Sequence, residues 1–372
     1  MSTLLEARLI GVIAVALAVF GIAAIYSASS IWAVENGQSG RVFALRQAMA
    51  AVLGIIALRI ASRTDYRFWQ RHAWALLGAA AMLLIIPILP FTQNISPALN
   101  GARRWVSLGP LSIQPSELAK FAVVAWTAML ATKKADVIRS FKRGLLPFVV
   151  VLVPLSGFIL LEPDLSTASL TVLLAAIVVF SAGARIGHFL LISFFAVPAL
   201  WHEIAGTQYR IQRIFSFLGQ GQELAESGWQ IKQSLIGIGA GGLFGVGFGQ
   251  GLQKLGYLPY AYSDFIFSTI GEEWGFVGTI VIVALYACFI ALGFRIARAA
   301  PDRFGMLFAT GLTSLIGVTA ILHVAVTLSL VPTTGLPLPF LSYGRSNLIV
   351  SLVVAGVLIN IGGANGRIGR RR

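Results

Sequence analysis

The chain has 372 residues, of which 57% are hydrophobic and only 11% charged, with a mean hydropathy of +0.84; this composition excludes a soluble domain of mixed polarity. Its net charge of +14 does not mark a nucleic-acid binder, because the basic residues fall between apolar segments instead of along one soluble face. Cys288 is the only cysteine and the four histidines are scattered without HExxH spacing, which excludes a disulfide framework and argues against a catalytic metal held by histidine or thiolate.

A membrane-spanning helix needs about 20 mostly apolar residues. The chain predicts about ten such helices, hence an all-α polytopic membrane protein built as a single domain over residues 1–372. The expected spans are 9–28, 43–60, 73–89, 116–131, 145–161, 167–182, 189–204, 275–297, 306–330 and 347–361. The first is expected to be an uncleaved helix, since no clear cleavage site precedes the further spans. Lysine and arginine set the orientation. Arg59, Arg63, Arg67 and Arg71 follow the second span, Lys133, Lys134, Arg139, Lys142 and Arg143 the fourth, and Arg295, Arg298 and Arg303 the eighth. This bias places both termini in the cytoplasm, and the Arg-rich tail GRIGRRR reads as an anchor near anionic membrane lipids.

Three outer segments then face the other side, at about 90–115, 205–273 and 331–346. In the first, Arg103 and Arg104 beside Trp105 offer planar donors suited to phosphate, or equally an anchor at the headgroups. Pro115 and Ser116 can open a helix that carries Glu117 and Lys120 at i,i+3 on one face. Such a pair should point into the bundle, either as a lock between helices or as part of a polar cavity. At the end of the fifth span, Glu162 and Asp164 bracket a proline; Asp164 suits a helix cap and a ligand role about equally.

The second outer segment, between the seventh and eighth spans, is far longer than an ordinary connection. Residues 209–218 and 229–238 predict short helices at the membrane surface, the first bearing Arg210. The run GIGAGGLFGVGFGQG holds a formal GxGxxG at Gly237, Gly239 and Gly242. No strand precedes it and no acidic residue follows at ribose spacing, so close backbone packing or a re-entrant turn is the better account. The segment then reaches Asp264, with Glu272 and Glu273 placed at the mouth of the eighth span. Carboxylates are scarce in this chain, and three within ten positions beside membrane-length apolar sequence point to chemistry. In the third segment, three prolines fix a turn that presents Ser342, Tyr343, Arg345, Ser346 and Asn347.

Five blocks carry a resemblance: NGARRWVSLGPLSIQPSELAK, LEPDLSTA, ESGWQIKQSLIGIGAGGLFGVGFGQGLQK, YLPYAYSDFIFSTIGEEWGFVG and GLPLPFLSYG. In that order they resemble the SEDS family (shape, elongation, division and sporulation) over nearly the whole chain, nearer its division branch than its elongation branch. The resemblance implies a ten-helix peptidoglycan glycosyltransferase that polymerises lipid II in the bacterial cytoplasmic membrane, at the septum if the division branch holds. It also implies a class B penicillin-binding protein, a transpeptidase, as partner, with other division proteins. The chain departs from the family in having Tyr260 and Tyr262 for a Glu and a His, Ser112 for a basic residue, and Arg345 and Asn347 where small residues are usual.

The resemblance makes Asp264 the catalytic residue. A carboxylate there suits a base that takes the proton of an attacking sugar hydroxyl. The departing lipid diphosphate needs positive charge, which Arg103, Arg104, Lys120, Arg210 and Arg345 can supply. Glu117, Asp164 and Ser342 complete the expected substrate-binding set. A divalent cation, magnesium or manganese, is an expected aid to the diphosphate, with its ligands left open. The rival readings are a transporter of lipid-linked precursors and, more distantly, a scaffold. The transporter suits the intramembrane Glu117–Lys120 pair but lacks an inverted repeat.

Overall fold

The computed structural model describes residues 3–98, 102–108, 111–218 and 226–369. Arg370, Arg371 and Arg372 of the expected anchor lie outside them. In chain order the helices are α1 (Thr3–Glu35), α2 (Val42–Arg63), α3 (Arg67–Arg71), α4 (Ala73–Ile85), α5 (Pro115–Lys133), α6 (Leu146–Leu161), α7 (Leu165–Ser181), α8 (Ile186–Ala205), α9 (Gln208–Phe217), α10 (Glu226–Ala240), α11 (Ile266–Arg298), α12 (Arg303–Thr327) and α13 (Arg345–Gly369). A helix stands at each of the ten expected spans. Among the described residues, seven helical segments are long and apolar enough to cross a membrane, the sixth helix counting its preceding turn, while α4 with its 3-10 extension and α7 are apolar but shorter. The apolar run alone made these helices legible, because in hydrocarbon every backbone polar group must be satisfied within the segment.

Local chemistry sets several helix ends. Pro115 opens α5, where its missing N–H costs nothing. Asp164 caps α7 by accepting from the Thr167 amide at 3.1 Å, and Asp302 caps α12 through Gly305 at 2.7 Å. The all-α expectation needs one small addition: β1 (Val106–Leu108) and β2 (Leu111–Ile113) form an antiparallel hairpin, with Val106 opposite Ile113. The triplets V-S-L and L-S-I flank Gly109–Pro110, a turn signal inside a loop the helix pattern had passed over.

Small residues let the helices approach closely. A Cβ at Gly356 of α13 would strike the Leu58 carbonyl of α2, and one at Gly54 would strike Leu352. In apolar surroundings this close packing replaces a hydrophobic drive between helices. The core between them is filled by Trp126, Phe148, Phe289, Phe304 and Phe308.

The eighth expected span differs most from its sequence reading. Helix α11 begins nine residues earlier, at Ile266, and is broken at Gly275, whose φ of 66° and ψ of −164° only glycine adopts readily. Glu272 and Glu273 therefore lie inside a buried first half and not at the mouth of a span. The glycine run packs on that break as foreseen: Val246 and Gly247 amides bond the carbonyls of Glu272 and Glu273, and Phe276 and Val277 amides bond those of Gly242 and Leu243. A Cβ at Gly241 would collide with the Gly271 carbonyl.

Candidate functional site

The loops at one end of the bundle converge on Asp264. The turn that carries it is folded by the Tyr260 carbonyl, which accepts from the amides of Ser263 and Asp264, both at 3.0 Å. Tyr260 sits at φ 56°, a left-handed conformation. The turn is then clamped from the 331–346 loop. Ser342 Oγ accepts from the Leu338 amide at 2.8 Å and donates to the Ser263 carbonyl at 2.6 Å, and the Tyr343 amide bonds the Tyr262 carbonyl at 3.0 Å. Gln47 of α2 fixes the same loop, donating to the Ser342 carbonyl at 3.1 Å. Tyr262, the first unusual tyrosine to be placed by packing, joins Trp32, Phe43 and Tyr343 in an aromatic cluster with centroids 4.9–5.8 Å from its own.

Asp264 feels four neighbours. Burial pushes its carboxyl up to about 6; the Ser263 hydrogen bond, then the charges of Arg213 and Arg104, pull it back, and Asp164 adds to the rise. A base that is ionised at neutral pH yet close to protonation is matched to taking and releasing a proton.

The expected arginines divide. Arg104 reaches across to the 162–164 turn, its Nε donating to the Glu162 carbonyl at 2.9 Å and its Nη2 to the Pro163 carbonyl at 2.5 Å. Its charge reaches Asp264. Arg103 is instead a brace: its three nitrogens donate to the carbonyls of Ser96 and Leu89 and to Thr92 Oγ1, at 2.9–3.0 Å. Arg210 pairs with Glu203 across the α8–α9 turn at 2.7 Å. One turn further along α9, it is Arg213 and not Arg210 whose charge reaches Asp264. Arg213 stacks over the Tyr209 ring at 4.3 Å and donates to the Thr333 carbonyl at 3.1 Å. The sequence YRIQRI offered both arginines at i,i+3, and only packing separates them.

Glu117 and Lys120 form a 2.8 Å pair with exposures of only 2% and 1%. Asn347 closes the pair by donating to the second Glu117 oxygen at 3.1 Å, tying α5 to α13. Asp164 is buried and holds both the amide and the hydroxyl of Thr167, so it is the cap. Arg345 donates to Ser112 Oγ. Two positions where the chain departs from the pattern its resemblance implies, Ser112 and Arg345, thus meet in one contact.

The sequence reading missed a second buried network. Lys254 Nζ donates to Glu273 Oε1 at 2.7 Å and to Ser27 Oγ at 2.9 Å, while Ser27 donates to the same carboxylate at 2.5 Å. Glu272 accepts from the Leu252 amide at 2.7 Å. These glutamates fasten the 241–256 loop to α11 and α1. Among the described residues no group of three metal-ligating side chains comes together. A cation at this site would have the Asp264 carboxylate available as one ligand.

A family model described as a cell cycle protein, covering FtsW, RodA and SpoVE, matches residues 7–365. Over 347 residues the chain is 42% identical to a probable peptidoglycan glycosyltransferase FtsW of Trichlorobacter lovleyi, covering 93% of this chain and 90% of that one. It is 37% identical to stage V sporulation protein E of Bacillus subtilis, over 95% and 96% of the two chains. Among solved structures it resembles a chain of a peptidoglycan synthase complex that coordinates polymerization and crosslinking, with a TM-score of 0.73 at 29% identity over 94% and 97% of the chains. It also resembles the rod shape determining protein RodA of Thermus thermophilus, with a TM-score of 0.70 at 27% identity over 96% of each.

Proposed function

The chain belongs to the FtsW, RodA and SpoVE family of cell cycle proteins, and from that premise we propose how its site carries out glycan polymerisation. The protein is a multi-pass membrane peptidoglycan glycosyltransferase, and the FtsW relatives favour a division role, at the septum, over elongation. Its substrate is lipid II, presented at the outer face of the cytoplasmic membrane.

The reaction joins two sugars. A hydroxyl oxygen of the acceptor attacks the anomeric carbon of the donor, the bond from that carbon to the lipid diphosphate breaks, and Asp264 takes the hydroxyl proton. A single base and a single displacement invert the anomeric centre. Arg104 and Arg213, whose charges both reach Asp264, are the groups that would neutralise the leaving diphosphate in this reading. Arg345, linked to Ser112 on the hairpin, supplies a further positive charge at the rim. A bound divalent cation would add charge to the diphosphate as it leaves. The Glu117–Lys120 lock and the Ser342 clamp hold the loops in register around this centre.

The observation that carries the reading is the Asp264 carboxylate, under the charges of Arg213 and Arg104, on a turn clamped by a second loop. Its test is lipid II polymerisation by the purified protein with its partner, comparing wild type with Asp264→Ala. Glycan chains from the former and none from a folded variant support the assignment. Equal polymerisation overturns it. A single-pass class B penicillin-binding protein is the proposed partner, in line with the synthase complex that its structural relative belongs to, and other division proteins would join it. The rival transporter reading leans on the buried Glu117–Lys120 pair, but Asn347 already occupies that pair's open side.

A further inference from the structure

Glu162 lies in the turn between α6 and α7, two residues before the Asp164 cap. It is 1% exposed, and neither carboxyl oxygen has a hydrogen-bond partner among the described residues. Its backbone is tightly used: its amide bonds the Phe158 and Ile159 carbonyls, and its own carbonyl takes Arg104 Nε. Two charged groups face it, Asp164 from the α7 start and Arg104 from the loop before the hairpin. The same two groups, with Arg213, also act on Asp264.

An ionised carboxylate cannot stay buried without partners unless the fold bears a large free-energy cost. With a guanidinium so near, an ionised Glu162 would be expected to capture it in a bidentate pair. The structure shows the opposite. Arg104 passes over the turn and bonds two backbone carbonyls, leaving the acid alone. Burial, with the Asp164 charge adding to it, pushes the Glu162 carboxyl up to about 9, against the opposing pull of Arg104.

We propose that Glu162 is a positioning residue that works as the neutral carboxylic acid, so that Arg104, strapped across the 162–163 turn by backbone carbonyls, keeps its full positive charge for the substrate diphosphate. The acid fills the turn with a polar group of the right length without pairing with the guanidinium. If Glu162 loses its proton, the new carboxylate pairs with Arg104 and the diphosphate loses that contact. The inference rests on the glycosyltransferase reading through the diphosphate alone.

The experiment measures affinity for lipid II in detergent micelles from pH 7.5 to 10, in the Asp264→Asn background so that no turnover intervenes. Glu162→Gln keeps a neutral amide of the same length and removes the ionisation. The parent is expected to lose at least fivefold in affinity across the range, and Glu162→Gln less than twofold. Parallel losses in both proteins would overturn the proposal. So would a tenfold weaker Glu162→Gln already at pH 7.5 with an unchanged melting temperature, since the carboxylate itself would then be needed. A parent that fails to bind lipid II at pH 7.5 overturns the substrate reading, and this inference falls with it.

Discussion

Ser342 Oγ sits 2.6 Å from the carbonyl oxygen of Ser263, one residue ahead of Asp264, while accepting the Leu338 amide at 2.8 Å. One hydroxyl therefore couples two loops that lie 79 positions apart in the chain.

Ser342→Ala removes that coupling and leaves a buried carbonyl and amide unpaired, at a cost of about 1–3 kcal/mol. With the proposed base on this turn, the loss should fall on kcat, tenfold or more, with KM little changed. Steady-state polymerisation over a range of lipid II concentrations checks this split. A rise in KM with kcat intact would place Ser342 against substrate instead.

Asp264 must be ionised to accept a proton. Its folded value of about 6 stands above the ordinary 3.8, so the rate should climb as pH rises through 6 and level off above 7. The sign for stability is the reverse. The folded state holds this proton more tightly than the unfolded chain, so between about pH 4 and 6 the group's contribution declines as pH rises. Asp264→Asn should abolish polymerisation by about 10²–10⁴-fold while melting at or above the wild-type temperature near pH 7.5. Thermal unfolding in detergent and a pH–rate profile test both halves.

Lys254 and Glu273 are an ion pair almost without solvent, with side-chain exposures of 4% and 2%. Lys254→Met should destabilise by about 3–5 kcal/mol, because it strands a buried carboxylate. The double variant Lys254→Met with Glu273→Gln should recover most of that loss. A double variant no better than the single one would show that the pair supplies net stability by its own attraction.

The Arg345–Ser112 contact predicts an exchange. Arg345→Gly should weaken lipid II binding severalfold, and adding Ser112→Arg should restore it by delivering the guanidinium from the hairpin. Affinity measurements on the single and double variants decide it; a double variant as weak as Arg345→Gly would mean that the backbone position, and not the charge, matters.

Much of the fold was legible because membrane solvation is a local requirement: a run of apolar residues is a helix wherever it packs. The start of α11 was hidden for the same reason. Its first half contains Glu272 and Glu273, and what solvates them is Lys254, Ser27 and the Leu252 amide, none of which is helical neighbour to them. Asp264 stood out through the scarcity of carboxylates and the family pattern. Arg213 did not, since Arg210 shares its helix and its chemistry, and the choice between them is made by Tyr209 and Thr333. Arg103 looked like Arg104 in the sequence, yet the fold spends all its nitrogens on the loop itself. Glu162 was overshadowed by its neighbour Asp164, whose capping pattern is visible in sequence, while the lack of hydrogen-bond partners for the Glu162 carboxyl among the described residues is not.

Helix α8 has no buried residue from Ile186 to Ala205, whereas α12 is buried along most of its length. The two helices therefore evolve under different rules. A residue of α12 must fit the volume left by its neighbours, so even a one-methylene change is felt. A residue of α8 need only be compatible with an apolar surrounding, so Leu, Ile, Val and Phe are interchangeable there and drift should be fast. Sequences related to this one should accordingly lose similarity along 186–205 sooner than along 303–327, although both stretches are apolar enough to cross a membrane.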